Sequence, residues 1–459
     1  MMDTTRDDPI YDEEGMLRGD FVHRVEAMLD AGQPELAREL TRELREADLA
    51  DLLTLLAPER RVPLVVALGD DFKPAVLSEL DWTVRDQLVE ALPNQELVKA
   101  VKELDTDDAV YVLESLEQED QDEILAQIPE GDRAALERGL EYPEESAGRL
   151  MQADFIAVPP FWTVGRTIDY MRDTEDLPDD FSEIYVVDPS FHLVGTVPLD
   201  RLLRSKRPVR IEEIMESDVN KVLATEDQEE VARQFQRYDL YSAPVVDKNS
   251  RLVGVVTVDD MVEVIQEEAE EDIKLLGGVG DESLADSVLA TTRSRFLWLV
   301  VNLCTAILAS QVIKLFDASI EQMVALAVLM PIVASMGGNA GTQTMTVAVR
   351  ALATRELGSV NAMRIILREV SVGLLNGLLF AVILGLVVLV WFGTGKLGLV
   401  IGAAMIFNHF AAALSGILIP LALDHFGFDP AVSSGVFVTT VTDIVGFFAF
   451  LGLATLVLL

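Results

Sequence analysis

Five apolar runs fill the last third of the chain, at about 296–316, 322–348, 363–392, 398–423 and 431–459. Each is long enough for a bilayer-crossing helix, which takes roughly 20 apolar residues. With no water to satisfy the backbone in hydrocarbon, these runs must form helices that pack on one another. The last of them, PAVSSGVFVTTVTDIVGFFAFLGLATLVLL (430–459), holds one charged residue, Asp443. A carboxylate near the middle of a span costs about 2.5 kcal/mol or more unless it meets water, an ion or a partner. Thr439, Thr440 and Thr442 stand beside it and give that stretch a hydroxyl-bearing face. One reading places Asp443 on a cation pathway. The other makes it a protonated or hydrogen-bonded link between helices. The first is preferred because intramembrane acids are functional by default.

The rest of the chain is of another kind. Half of all residues are hydrophobic, yet the net charge is −41. From Thr291 onward eight Lys and Arg meet seven Asp and Glu, so the excess acid lies almost wholly in the first 290 residues. A strongly acidic soluble part is therefore joined to a nearly neutral membrane part. Such acidity argues against nucleic acid, whose phosphates demand a basic face. It suits cation binding or plain solubility. The single cysteine, Cys304, excludes an intrachain disulfide, and its apolar surroundings predict a packing role. The N-terminal MMDTTRDDPIYDEEG has neither a basic n-region nor an apolar h-region, so residues 1–290 are expected in the cytoplasm.

Between about 20 and 140 an apolar residue recurs every twelve: Leu44, Leu56, Leu68, Leu80, Leu92, Leu104, Leu116, Ile128 and Leu140. DWTVRDQLVEAL (81–92) also resembles DTDDAVYVLESL (105–116). The unit fits a two-turn helix and its connection, with Asp81 and Asp105 as helix starts. Repeated short helices bury their apolar faces only by stacking, which predicts an all-α superhelix.

A second repeat follows. IYVVDPSFHLVGTVPLDRLL (184–203) matches SAPVVDKNSRLVGVVTVDDMV (242–262), and Met151 and Met215 open the two copies. Each copy predicts two short strands about a turn, then a helix. The repeat resembles the tandem cystathionine-β-synthase (CBS) domain, which implies an α/β pair that binds an adenosine nucleotide. In that family Thr/Ser-x-x-Asp holds a ribose. Copy two has Thr257 and Asp260 there, with ATP the candidate ligand. Copy one has Pro198 and Arg201, so one such site at most is expected.

DDMVEVIQEEAEEDIKLLG (259–277) comes next without a break. Asp260, Glu263, Glu267, Glu270 and Glu271 recur at three- and four-residue intervals and share a helical face. Like charges so placed repel, and hard cations that prefer oxygen ligands, such as Mg²⁺, relieve them. An ordinary solvated helix is the competing reading.

Within the membrane part Arg293 and Arg295 precede the first run, and Arg350, Arg355, Arg364 and Arg368 lie between the second and third. This bias puts the N-terminus and the 349–362 loop in the cytoplasm and the C-terminus outside. The second run contains MPIVASMGGNAGTQTMTVAVRALATRE (330–356). Pro331, Gly337, Gly338 and Gly341 are expected to loosen it, while Asn339, Thr342, Gln343 and Thr344 bring polar groups to membrane depth. Such groups are tolerated where they are buried or line a wet cavity. Close glycine-mediated packing is the alternative. Asn408 and His409 are weaker candidates, and His409 reads as a packed, hydrogen-bonded residue.

In this order, an acidic superhelix, a CBS pair, an acidic helix and five spans resemble the MgtE family of magnesium channels. PIVASMGGNAGTQ and TTVTDIVG (439–446) carry the most specific part of the likeness. The expected class is a multidomain membrane protein with an all-α superhelical N domain, α/β tandem CBS domains and a five-helix transmembrane domain. The divisions read as a tail (1–19), the N domain (20–142), CBS copies at 143–208 and 209–268, a connecting helix and linker (259–290), and the membrane domain (291–459). The resemblance implies a homodimer with a pore lined chiefly by the second and fifth spans, among them Gly337, Gly338, Asn339, Gly341, Thr439 and Asp443. Asp443 falls on the ion-selecting position. Regulatory Mg²⁺ positions fall on Asp107, Asp260, Glu263, Glu268, Glu271, Asp272 and Asp429. One departure is Tyr111, where a second N-domain acid is usual; Asp108 stands near enough to substitute. A Mg²⁺-gated Mg²⁺ channel in the plasma membrane is the function this implies. The competing expectation is a proton-coupled secondary transporter of divalent cations. An enzyme finds no support: GTGK (393–396) lacks phosphate-loop spacing, and four dispersed His make no zinc motif.

Overall fold

The computed structural model describes residues 10–174, 177–178, 180–280, 282, 288–358, 360–432 and 434–459. These divide into two compact units, the first running to Glu268 and the second beginning at Ala269.

Nine helices open the first unit: α1 (Gly19–Asp30), α2 (Pro34–Thr41), α3 (Glu46–Leu55), α4 (Pro58–Leu68), α5 (Trp82–Ala91), α6 (Asn94–Glu103), α7 (Thr106–Glu114), α8 (Gln118–Leu125) and α9 (Glu130–Glu141). From α2 on they start twelve residues apart. The one exception is the place between α4 and α5, where two 3₁₀ turns, Gly69–Asp71 and Pro74–Val76, stand instead. The recurring leucines mark the turns between helices. Leu56, Leu92 and Leu104 each follow the last helical residue of α3, α5 and α6 and bond back to the carbonyl four residues earlier. Asp81 caps α5 as expected, accepting from the Thr83 amide at 3.0 Å. Leu52, Leu53, Leu64, Leu68, Leu77, Leu88, Leu97 and Leu113 are wholly buried between the helices. Burial of each contributes about 1.5–3 kcal/mol, which short helices cannot obtain singly.

The two α/β copies follow. The first comprises β1 (Ala157–Val158), α10 (Val164–Asp173), β2 (Glu183–Val187), β3 (Leu193–Pro198) and α11 (Leu199–Arg204). After α12 (Ile211–Ile214) the second has β4 (Val222–Leu223), α13 (Gln228–Tyr238), β5 (Ser242–Val246), β6 (Leu252–Thr257) and α14 (Val258–Leu276). Each sheet pairs its short first strand parallel and its last two antiparallel. The two-residue strands β1 and β4 lack the length to register as a pattern in sequence. The opening methionines are exchanged between copies. A Cβ on Gly254 in β6 would lie 2.7 Å from the Met151 sulfur, and one on Gly195 in β3 would lie 3.0 Å from the Met215 sulfur. Gly254 and Gly195 are thus required by close approach, which explains why the repeat keeps them. The sheets share a core of Tyr185, Val187, Leu252 and Val255.

The second unit contains the spans α15 (Val288–Lys314), α17 (Ala325–Ala353), α18 (Ala362–Phe392), α19 (Gly395–His425) and α20 (Ser434–Leu458), with the short α16 (Asp317–Gln322) after α15. The expected spans are present with shifted ends. The first begins at Val288 because Val288 and Leu289 extend the helix ahead of Arg293. No residue pattern announced α16, whose Ser319 hydroxyl meets that of Thr455 at 2.8 Å. Cys304 is exposed on α15, so the packing role expected of it is not met within one chain.

Of the two expectations for the glycines of the second span, loosening is overturned and close packing holds. α17 is a single helix through Pro331 and its glycines. The glycines are there because neighbours leave no room. A Cβ on Gly337 would lie 2.1 Å from Asn408 Nδ2, and one on Gly341 would lie 2.5 Å from a Val438 methyl. α19 is the hub, and Asn408, fully buried on it, donates to the Val333 carbonyl of α17 at 2.8 Å.

Candidate ion sites

Asp443 sits in the middle of α20, half-buried. Among the described residues no hydrogen bond or ion pair reaches its carboxylate. The neighbouring threonines do not bind it. Thr439 donates to the Gly435 carbonyl at 2.9 Å, Thr440 to Val436 at 2.6 Å and Thr442 to Thr439 at 2.9 Å. Back-bonding uses up each hydroxyl proton and leaves oxygen lone pairs, which are what a cation takes.

α17 runs beside α20 at this level, where a Cβ on Gly338 would lie 3.9 Å from the Thr439 methyl. Its Ser335, Asn339, Thr342, Gln343 and Thr346 are all exposed and recur at helical spacing. They form a polar stripe on an otherwise apolar span. Of the expected pore-lining residues, Asn339 and Asp443 keep accessible surface, and Gly338 and Thr439 are half-buried between α17 and α20. Gly337 and Gly341 are buried, the first against α19 and the second against α20. His409 is packed as expected, its Nδ1 3.0 Å from the Met405 carbonyl and its ring stacked on Phe380.

The acidic site of the first unit lies where α7 and α14 bring carboxylates together. Asp107 is 7% exposed, and its Oδ1 has no hydrogen-bond partner. Burial first, then the charges of Asp260 and Asp108, push its carboxyl well above the usual range. Burial likewise raises Asp108 to about 6, with Asp260 and Asp105 adding to it. Asp260 is raised to about 6, chiefly by burial, although the Thr257 hydroxyl donates to its Oδ2 at 2.6 Å. Glu263, at the exposed rim, rises to about 7 through desolvation and then Glu79 and Asp260. Buried carboxylates facing one another cannot all ionise unless a cation joins them. The lone Asp107 oxygen and the hard, oxygen-only donor set fit Mg²⁺, which keeps several waters and needs few protein ligands. Among the described residues no group of three or more His, Cys, Asp or Glu converges into a ready metal cage.

The other expected residues lie apart. Glu268 accepts from Gln228 Nε2 at 2.8 Å within the second CBS copy. Glu271 follows on α14 in the second unit. There Asp272 is raised by burial and then by Asp429, against the pull of Arg350. Asp429 accepts from the Ala431 amide at 2.7 Å. In copy one, Arg201 donates to the Ile214 carbonyl at 3.2 Å and pairs with Glu216 where copy two has Asp260. The sequence reading missed Glu79, which precedes the Asp81 cap and carries no pattern of its own.

A membrane bundle whose one mid-span acid is unpartnered among the described residues, joined to a carboxylate-lined soluble fold, is the build expected of a membrane transporter of divalent cations. Family models agree along the chain. One described as a divalent cation transporter matches residues 330–453, one for the MgtE intracellular N domain matches 44–145, and the CBS model matches 147–207 and 211–267. The magnesium transporter MgtE of Thermus thermophilus is 34% identical over 441 residues, 95% of this chain and 98% of that one. That of Bacillus subtilis is 28% identical over 443 residues, 96% and 98% of the two. A crystal structure of the cytosolic domain of the Mg²⁺ channel MgtE in complex with ATP is 32% identical, covers 53% of this chain and 99% of that one, and superposes with a TM-score of 0.48. The chain belongs to the MgtE family of magnesium transporters.

Proposed function

We propose that the protein is a Mg²⁺-selective channel that admits Mg²⁺ down its electrochemical gradient and closes when cytosolic Mg²⁺ is high. The observation that carries this is Asp443, a carboxylate without a partner among the described residues, level with the exposed polar stripe of α17. Lipid does not solvate such a face, so water and a second copy of the chain are what it calls for. In a homodimer two Asp443 carboxylates and the threonine oxygens would attract a hydrated dication. Mg²⁺ dehydrates reluctantly, which favours contact through its water shell. An inside-negative potential supplies about 2.3 kcal/mol per charge per 100 mV, twice that for a dication, so no coupled ion is required.

Regulation rests on the acidic soluble unit. Asp107, Asp108, Asp260 and Glu263 would hold Mg²⁺ between α7 and α14, with Glu268, Glu271, Asp272 and Asp429 continuing the series. Without the ion these groups repel and the soluble region loosens. With it the compact state is favoured, which is selection of one state by its ligand. The orientation proposed has the soluble domains in the cytoplasm and the C-terminus outside, following the arginine bias.

Current or flux through liposomes reconstituted with the full chain tests the channel. Its reversal potential is expected to follow the Mg²⁺ gradient alone. A shift with external pH at fixed Mg²⁺ would instead establish the proton-coupled carrier. A nucleotide is proposed at Thr257 and Asp260, ATP before others. The same Asp260 carboxyl cannot serve a ribose and the Asp107 pair at full strength together. ATP is expected to raise the unfolding temperature of the protein, and no shift at millimolar ATP removes the assignment.

A further inference from the structure

Asn408 is a polar side chain on an otherwise apolar stretch of α19, and it is wholly buried. Its carboxamide lies at a junction of three spans. Nδ2 donates to the Val333 carbonyl of α17 at 2.8 Å. Helix geometry already gives that carbonyl the amide four residues on, that of Gly337, so a second donor is not needed to satisfy it. A Cβ on Gly337 would lie 2.1 Å from Nδ2. On the other side stands Gly446 of α20, where a Cβ would lie 2.7 Å from Nδ2 and 3.2 Å from Oδ1. Glycine on both flanking helices makes room for this one amide. Oδ1 is buried and has no hydrogen-bond partner among the described residues.

A buried carbonyl oxygen left without a donor is costly, and one hydrogen bond between spans returns little. For stability alone, an apolar side chain of the same branched shape would serve as well. The amide is better explained by what it holds in place. Gly446 follows Asp443 by three residues, so the two are neighbours on one side of α20. On α17, Gly337 lies between Ser335 and Asn339 of the polar stripe. We propose that Asn408 is a positioning residue for Asp443. Bonded to α17 and packed on Gly446, its carboxamide sets the gap between the carboxylate and the polar stripe, and with it which hydrated cation passes. Polar groups buried among apolar helices fix one register in this way, at a cost in stability. This rests on the reading of Asp443 as the pore acid.

Uptake of Mg²⁺ and of Ca²⁺, which is larger and takes more ligands, into proteoliposomes of the full chain tests it. The chains compared are the parent, Asn408→Leu, Asp443→Asn and the double variant. Asn408→Leu keeps the branched shape without the hydrogen bond. It is expected to fold at the parent's yield while the ratio of Mg²⁺ to Ca²⁺ uptake falls about tenfold, the factor that one hydrogen bond supplies. With Asp443→Asn already present, the same change should leave the ratio where Asp443→Asn alone puts it, because both act through one carboxylate. Asn408→Ala, which cannot overfill the junction, should lower the ratio likewise. Three results overturn the proposal: a parental ratio in both Asn408 variants, an equal fall with and without the Asp443 carboxylate, or loss of folded protein in both variants, which would make the amide a clamp of the whole bundle. Asp443→Asn with parental uptake and ratio would strike the pore reading and the positioning role together. Uptake that needs Asp443 but keeps its ratio without Asn408 would strike the positioning role alone.

Discussion

Asp443→Asn will cut Mg²⁺ uptake into proteoliposomes about ten- to hundredfold, since a contact to a charged group is worth about 1.5–3 kcal/mol more than its neutral replacement provides. The change preserves shape and removes the charge alone. The carboxylate has no hydrogen bond or ion pair among the described residues to lose, so helix packing should survive. Yield, helix content and oligomer size in detergent are therefore expected to be unchanged. The same substitution separates the two readings of this residue. If Asp443 linked helices, its loss would lower thermal stability and leave the flux of surviving protein intact. Uptake equal to the parent's, at equal protein, would remove Asp443 from the pathway. Asp443→Glu, which keeps the charge and shifts it by one methylene, should retain part of the flux.

Much of this was legible from residue pattern. The twelve-residue leucine echo foretold the helix starts because each unit has the same two tasks: one apolar face and one turn. The echo failed at 69–76, where Gly69, at φ +52°, and Pro74 replace an α-helix by 3₁₀ turns. The spans were legible from apolar length, but their internal geometry was not. Glycines in α17 read either as weak points or as places of close packing, and Gly337 and Gly341 are the second, where α19 and α20 press closest. Sequence gives the absence of a side chain without saying what fills the space. Asp443 stood out because it is a lone charge among apolar residues. The buried Arg85 of α5 did not, because it lies among other charges in an acidic domain. A signal existed all the same: Arg61 and Arg85 are 24 residues apart, in phase with the repeat, and both are buried. Arg61 turns its Nε to the Leu53 and Leu56 carbonyls at the end of α3. A basic residue at the apolar phase of a solenoid is a residue with an assigned partner.

The acidic face between α7 and α14 makes protons and Mg²⁺ competitors, and this sets a pH dependence of definite sign. The groups that face one another are Asp105, Asp107 and Asp108 on and before α7, Glu79 before α5, and Asp259, Asp260, Glu263 and Glu267 on α14. Asp108 and Asp260 are raised to about 6 and Glu263 to about 7 in the compact state, and Asp107 is raised as well. Raised carboxyls mean that the compact state binds more protons than the open one, so compaction strengthens as pH falls. Well below the ordinary carboxyl range both states are protonated and the linkage vanishes. Well above about 7 all are charged and the full repulsion is felt. In EDTA, protease cleavage of the soluble region should therefore slow progressively from pH 8 to pH 5.5. In Mg²⁺ it should be slow throughout, because the ion replaces the proton where the carboxylates are ionised. The two curves are expected to lie furthest apart at pH 8 and to converge near pH 5.5. Asp107→Asn should flatten the EDTA curve, since a neutral amide already stands where the proton would go. Cleavage in EDTA that is independent of pH, or that slows as pH rises, would show that these carboxyls do not govern the closing of the domain.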